Sequence, residues 1–557
     1  MKSFSKYFIG LSLVATLGLS SCTDDLNVPE KDPNKETIEV LMKKDPRGTL
    51  DAIVAEVYQG LATASPWGPG STILGLAGDA GATAFPRTVF FLEEITTDEF
   101  SWLQFSDAGL YELVTQNFAA DNEVMYTSYS RIYTEIALCN MCINTIEENR
   151  HLFTSEEDLA ACDEYIRQCK IVRSLAYFYA ISCFGNTGYV DETMPLGTAP
   201  AQMAGADVYN KVVGTLEEVS AEYGNNYETP AYGYVGKECA DALLSRFYLN
   251  AQNFGATPAF DKCWQISQKI IAHHTGGYED SGLAESYKAL FGANNNEYAA
   301  GGSRTNEIIW TTPQDNAQLQ SYGGSTFYTA TVCGSYDGIS SVDDCNFNAQ
   351  WTCMVARKQL SERMGFDADG YPTDMRAELW KTSKDGFEID NSTIMGNAGY
   401  GKGYAPLKYT NFNFDDDGNL SDNQPSSSQS FSNADWTIIR LAEIYLNAAE
   451  SNILGNAGDA ATALGYVNLV RGRAQAEPWT MSMMTNDNIL EERSRELYGE
   501  NIRRTDLCRH GKFAGGAYVW NWKGGVQNGA ATPEHMKLYP IPTKVISFQG
   551  YKQNPGY

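Results

Sequence analysis

The chain has 557 residues, a formal net charge of −28 and an isoelectric point near 4.6, a balance that repels phosphate backbones and argues against a nucleic-acid partner. A hydrophobic content of 43% is enough for a real core, and no late run of 18 apolar residues offers a membrane span. Twelve cysteines, one of them Cys22, follow no disulfide framework, and Cys139-x-x-Cys142 lacks the second ligand pair that zinc needs, so no metal is expected there.

In chain order, Lys2 and Lys6 precede an apolar run from Tyr7 to Leu19 that stops at Leu19-Ser20-Ser21-Cys22. Small residues directly before a cysteine are what a lipoprotein signal peptidase requires, so residues 1–21 read as a signal peptide and Cys22 as the lipidated mature N-terminus. Residues 22–40 then form a tether. Thr23-Asp24-Asp25 resembles the acidic tag that sends some bacterial lipoproteins to the outer face of the outer membrane. Residues 41–557 contain no low-complexity hinge and read as one large domain.

Helical periodicity marks four stretches. Tyr165, Cys169, Val172, Ala176, Tyr179 and Cys183 recur at steps of three and four, as do Ala240, Leu243, Phe247, Ala251 and Phe254. Ile439, Ala442, Leu446, Ala449 and Ile453 form a third stripe; Ala463, Val467, Val470 and Ala474 form a fourth beyond a Gly455-Asn456-Ala457-Gly458 turn. The prediction is a mainly α fold of helical hairpins stacked in tetratricopeptide fashion. From about 294 to 434 the chain turns rich in Gly, Asn, Ser, Thr and aromatics, which predicts a loop-rich lobe with short strands over the helices. His273-His274 reads as a solvated helix end.

Glu492, Arg493, Arg495, Glu496, Glu500, Arg503, Arg504 and Asp506 form the densest charged cluster. Glycoside hydrolysis needs a carboxyl of raised pKa beside a cleft, whereas alternating arginines lower carboxylate pKa values, so this cluster reads as a structural ion-pair network with Arg440 and Glu443. No GxSxG elbow, HExxH or phosphate loop is present, and no enzyme is expected. Asp367-x-Asp369-Gly370 and Asp415-Asp416-Asp417-Gly418-Asn419 carry the alternating oxygens of calcium loops but no terminal bidentate glutamate; solvated turns are the expectation and calcium the alternative.

Several segments resemble the SusD/RagB family of outer-membrane nutrient-binding lipoproteins. They are Arg167-x5-Arg173-Ser174-Leu175-Ala176-Tyr177-Phe178-Tyr179 running into Phe184-Gly185, the run Ile439-Arg440-Leu441-Ala442-Glu443 to Ala449-Glu450, and Asn468-x-Val470-Arg471-x-Arg473. Glu492-Arg493-x-Arg495-Glu496, Pro540-Ile541-Pro542 and the closing Asn554-Pro555-Gly556-Tyr557 belong to the same set. At Gly185-Asn186-Thr187-Gly188-Tyr189-Val190 the sequence departs from the family's more usual Asp-Val-Pro-Leu. The resemblance implies a surface protein that captures oligosaccharides or polysaccharides and delivers them to a SusC-like TonB-dependent transporter. A peptide-binding relative of the same family is the alternative, and a glycosidase the more distant one.

Sugar rings present a face of C–H bonds that stacks on indole and phenol rings, so loop aromatics are the candidate site. Trp102 follows Thr96-Thr97-Asp98-Glu99, after which, as the resemblance implies, the loop reaches the ligand. Arg87, placed before an expected short strand, is a hydrogen-bond donor for hydroxyls, and Trp67 sits in a Pro66–Gly68 turn. Tyr322, Phe327 and Tyr336 are spread among glycines and threonines without a helical period, in the middle region where the resemblance implies a second binding segment.

Overall fold

A computed structural model describes residues 37–72, 79–104, 107–195, 197–334, 342–389 and 402–557. Cys22, the expected signal peptide and Tyr336 lie outside the described residues. The N-terminal half holds helices α1 (Ile38–Lys44), α2 (Pro46–Ala62) and α3 (Phe85–Glu93), strand β1 (Phe100–Trp102), then α4 (Leu110–Val114), α5 (Glu123–Asn149) and α6 (Glu156–Phe184). Strands β2 (Thr187–Tyr189) and β3 (Ala201–Met203) lead to α7 (Gly205–Glu222), α8 (Lys237–Asn250) and α9 (Phe260–His273). The lobe carries β4 (Ile308–Thr312), α10 (Ser325–Val332), α11 (Val342–Cys345), β5 (Met354–Ala356) and α12 (Lys358–Met364), and closes with β6 (Trp436–Arg440). Helices α13 (Leu441–Gly455), α14 (Ala460–Arg473), α15 (Asn486–Leu497), α16 (Arg503–Arg509) and α17 (Thr543–Gln549) finish the chain.

Two of the expected helices, α6 and α14, begin at a side-chain cap. The α6 start is set by Ser155, whose hydroxyl accepts from the Asp158 amide at 3.0 Å, and three acids in its first turn complement the helix dipole. It stops at Gly185, whose φ of 63° suits glycine. The turn between α13 and α14 places Asn456 and Gly458 at positive φ, and a Cβ on Gly458 would lie 1.9 Å from the Trp264 ring. Consecutive helices pack side by side from α5 on α6 through α7 and α8 to α9, α13 and α14, the stacked-hairpin scaffold that the stripes predict. The stripe on α6 widens beyond the sequence pattern: every residue from Ile171 to Phe184 is buried. The packing neighbours α5 and α7 enclose the second half of that helix.

One difference lies at the third stripe. Ile439 is not helical; Trp436–Arg440 is extended and pairs antiparallel with β4, Thr312 opposite Trp436 and Ile308 opposite Arg440. A Trp-Thr-Ile-Ile run of aromatic and β-branched residues favours that pleated, fully buried position, so the helix begins at Leu441. His274 is buried against Glu238 and not solvated.

The lobe is joined to the helices in two ways. Strand β1 pairs with lobe strand β5, Trp102 opposite Met354. The charged cluster supplies the second link: Arg440 at the end of β6 reaches Glu496 at 2.5 Å, Glu500 at 2.8 Å and Glu307 at 3.1 Å, all four side chains being buried. Asp98 likewise holds Arg363 of the lobe at 2.7 Å and Arg503 of α16 at 2.8 Å. Removing one partner of such a pair would leave an uncompensated buried charge, so this network fixes where the lobe sits.

Candidate ligand-binding face

Arg87 on α3, Trp102 on β1, Phe327 on α10 and Tyr322 just before it are gathered by a tight backbone crossing, while Trp67 stands in the turn after α2. A Cβ added at Gly323 would fall 2.3 Å from the Ala84 Cβ and 2.4 Å from the Gly81 carbonyl oxygen. A Cβ on Gly81, whose φ is 80°, would fall 2.6 Å from the Tyr322 carbonyl carbon. Only glycine lets the segment before α3 and the segment before α10 meet at that distance.

The inner layer of this face is buried. Arg87 lies inside α3 and not before a strand, because Pro86 in the first turn and extended Ala84 start a helix there. Its guanidinium donates to Asp79 at 2.7 Å and to the Ala80 carbonyl at 3.1 Å, and lies 5.0 Å from the Phe327 ring centre and 5.4 Å from that of Phe91. Trp102 is on β1 and only 2% exposed. Its ring stacks on Phe327 (6.0 Å, 15°) and meets the edge of Phe91, and its indole N–H donates to Asp107 at 2.9 Å. Burial raises the Asp107 carboxyl, against the lowering effect of that indole donor and of Arg87. Phe327 is fully buried on α10, a helix that the Gly/Thr-rich composition did not announce. Trp102 and Phe327, expected as sugar platforms, therefore brace the face from beneath; their rings are spent on each other.

The outer layer is open. Trp67 is 55% exposed, in a turn held by its own amide donating to the Ser65 hydroxyl at 3.0 Å and by Ser71 bridging to Ser65 and Gly68. Thr83 ties that turn to the crossing through the Ala64 carbonyl. Tyr322 is half-buried, its ring 4.7 Å from Phe431 and 6.3 Å from Trp351. Trp351, also half-buried, was not singled out from sequence; neither was Phe431. Their signal was only an aromatic among polar residues, in Asn348-Ala349-Gln350-Trp351-Thr352 and Ser430-Phe431-Ser432. Tyr322 and Trp351 are thus partly exposed rings beside a buried aromatic floor, the Trp351 ring 6.4 Å from that of Phe327, and Asp79, its side chain 65% exposed, is a polar edge oriented by Arg87.

Elsewhere the charged groups are committed. Burial alone would raise the Glu496 carboxyl, but Arg473, Arg440 and Arg376 bring it down to about 2; Glu492 and Glu500 are lowered by their own arginines. Four buried acids shift the other way, Glu94 well above the carboxylate range, Glu135 to about 8, Asp435 to about 7 and Glu99 upward, yet none lines either of the two clearest cavities. In the aspartate turns, Asp367 accepts from the amides of Asp369 and Tyr371, and Asp415 from that of Asn419, each closing its own loop. Among the described residues no three His, Cys, Asp or Glu side chains gather as a metal site. No described helix is long and apolar enough to cross a membrane.

Comparison with known proteins agrees with this architecture. The model of the SusD family matches residues 385–557. Over 100% of the chain and 99% of the relative, the sequence is 26% identical to the starch-binding protein SusD of Bacteroides thetaiotaomicron. Among solved structures, a SusD superfamily protein of Parabacteroides distasonis is similar with a TM-score of 0.66 at 18% identity, covering 92% of this chain and 99% of that one. Surface glycan-binding protein A of Bacteroides thetaiotaomicron, solved in complex with laminarihexaose, is similar with a TM-score of 0.64 at 21% identity, over 92% and 99% of the two chains. The likeness to both solved structures is one of fold.

Proposed function

We propose that this chain, a SusD-like protein, is a lipid-anchored glycan-binding protein of the cell surface that captures oligosaccharides and passes them to a TonB-dependent transporter. The observation that carries the reading is the pair of partly exposed rings, Tyr322 and Trp351, seated beside a buried aromatic floor, with the exposed Trp67 in a turn tied to the same crossing. Exposed rings held by buried ones offer stacking faces at little entropic cost, and Asp79 offers acceptors for hydroxyls. The starch-binding relative and the laminarihexaose-bound structural neighbour support a neutral glycan as the ligand class.

In this reading residues 1–21 are removed, Cys22 carries the lipid, residues 22–40 are the anchored linker, whose last three residues already belong to α1, and residues 41–557 form the binding body. The protein binds and does not cleave: the acids of its densest charged cluster are locked in ion pairs, not set across a cleft. Retardation in gels containing soluble polysaccharides, with product analysis of the same mixtures, tests this. Retardation by at least one neutral polysaccharide without released sugars is expected. Released oligosaccharides would replace the reading with a hydrolase, and retention of peptides alone would replace it with a peptide-binding relative.

A further inference from the structure

The larger of the two clearest cavities among the described residues belongs to none of the elements that build the aromatic rim. It is an open groove of about 510 Å³ between α5, the connection from β2 to β3, and α17. Its frame is firmly fixed. The Thr543 amide at the head of α17 donates to the Ala120 carbonyl at 2.8 Å, and the Tyr551 hydroxyl donates to the Pro200 carbonyl at 2.7 Å. In its wall Tyr129 and Tyr133 stack at 4.6 Å, and the Tyr133 hydroxyl donates to the Gly188 carbonyl at 2.6 Å.

Three features of the lining are unspent. Phe548 stands at the lip 81% exposed, the most exposed large hydrophobic side chain among the described residues. Beside it Gln549 has its side-chain carbonyl oxygen buried without a hydrogen-bond partner, a state that costs free energy unless a donor arrives. Across the groove, the Asn144 side-chain amide makes no hydrogen bond among the described residues. The charged groups, by contrast, are occupied: the Lys544 ammonium lies 4.5 Å from the Tyr126 ring centre, and Asp191 accepts from the amide and hydroxyl of Thr193. An uncovered ring face, a vacant acceptor and a free amide, with no free charge, match a ligand with apolar ring faces and many hydroxyls. The volume falls within the ~300–1,000 Å³ of small-molecule pockets, room for a short oligosaccharide.

We propose that this groove is a second saccharide-binding site, in which Phe548 stacks on a neutral pyranose and Gln549 and Asn144 hydrogen-bond its hydroxyls. The proposal rests on the glycan-binding reading above. Two sites on one body raise retention of a polymer, because the second contact forms at the high effective concentration set by the first.

The test uses the full-length mature protein and a panel of neutral hexasaccharides, beginning with maltohexaose and laminarihexaose. Fluorine-labelled phenylalanine at position 548 gives a direct readout by ¹⁹F NMR, and calorimetry gives stoichiometry. For the oligosaccharide that the parent binds, two sites are expected. Phe548→Ala with Gln549→Leu should remove one and leave the melting temperature unchanged, and the ¹⁹F signal should still titrate in Trp67→Ala with Tyr322→Ala. A single site that disappears in the Trp67/Tyr322 variant, with a ¹⁹F signal unmoved by ligand, overturns the second site and leaves the first reading standing. A single site lost only in the Phe548/Gln549 variant supports the groove and overturns the rim. If the parent binds no member of the panel, both fall.

Discussion

Replacing Trp102 by alanine separates a ring that braces the face from a ring that meets the ligand. The side chain is 2% exposed, stacked on Phe327 and edge-on to Phe91. At ~25 cal/mol per Å² the ~200 Å² that such a ring buries is worth about 5 kcal/mol, and aromatic-to-alanine truncations in cores cost ~3–5 kcal/mol. Loss of the indole donor to Asp107 adds little, because that carboxyl is only half-covered and water can replace it. Trp102→Ala should therefore lower unfolding free energy by about 4 kcal/mol, read as a shift in the urea midpoint at constant slope. Trp102→Phe keeps the contact with Phe327 and should lose about 1 to 2 kcal/mol. Glycan affinity, measured well below the melting transition, should fall only as far as the rim loses its support. A stable Trp102→Ala protein that has lost glycan affinity at least tenfold would refute the buried placement and restore this indole as a direct platform.

Four further outcomes follow from the charged network, one buried aspartate and the anchor. Glu496→Gln should cost on the order of 3 kcal/mol, since Arg473 and Arg440 are left buried with one carboxylate fewer, while leaving glycan binding intact in the folded fraction; thermal melts and titrations on one preparation check both. The Glu496 carboxyl is lowered from 4.5 to about 2, so its contribution is fully present above pH 4.5 and is lost as pH falls from 4.5 toward 2; an acid melting series should show that decline flattened in Glu496→Gln. Burial raises Asp435 from 3.8 to about 7, so the folded state keeps a proton that the unfolded chain releases, and stability falls between pH 4 and 7; Asp435→Asn should remove that slope from the same series. Cys22→Ala should leave the protein out of the outer-membrane fraction, and unchanged partitioning on fractionation would refute the lipid anchor.

The helical scaffold was legible in the sequence because its apolar residues repeat at steps of three and four over long stretches, as on α6 and α14, whereas the caps Ser155 and Asp459, which set where those helices start, lie ahead of the stripes. The ion-pair role of Glu496 was legible from its alternation with arginines. What the sequence withheld was tertiary. Trp436–Arg440 could continue a helical stripe until β4 offered a partner strand. Phe327 looked like a loop residue because α10 is short, rich in threonine and buried all round, so no polar face marks its period. Exposure itself was the hardest quantity to read: Trp67 and Trp102 both sit beside small or polar residues, yet one is open and the other sealed by a strand pairing and a helix far along the chain. Trp351 and the buried Phe431 meet Tyr322, and Trp351 meets Phe327, through contacts that no local pattern encodes.

The central claim is that the exposed rim binds a neutral glycan. Its most direct test is the affinity of Trp67→Ala with Tyr322→Ala for the polysaccharide that retards the parent most, measured by calorimetry beside the melting temperature. Because Trp67 is 55% exposed and Tyr322 is half-buried, the melting temperature should move by no more than a few degrees, whereas loss of two stacking rings should weaken binding by about 2 kcal/mol or more, roughly thirtyfold. Parental affinity in this variant would contradict the account.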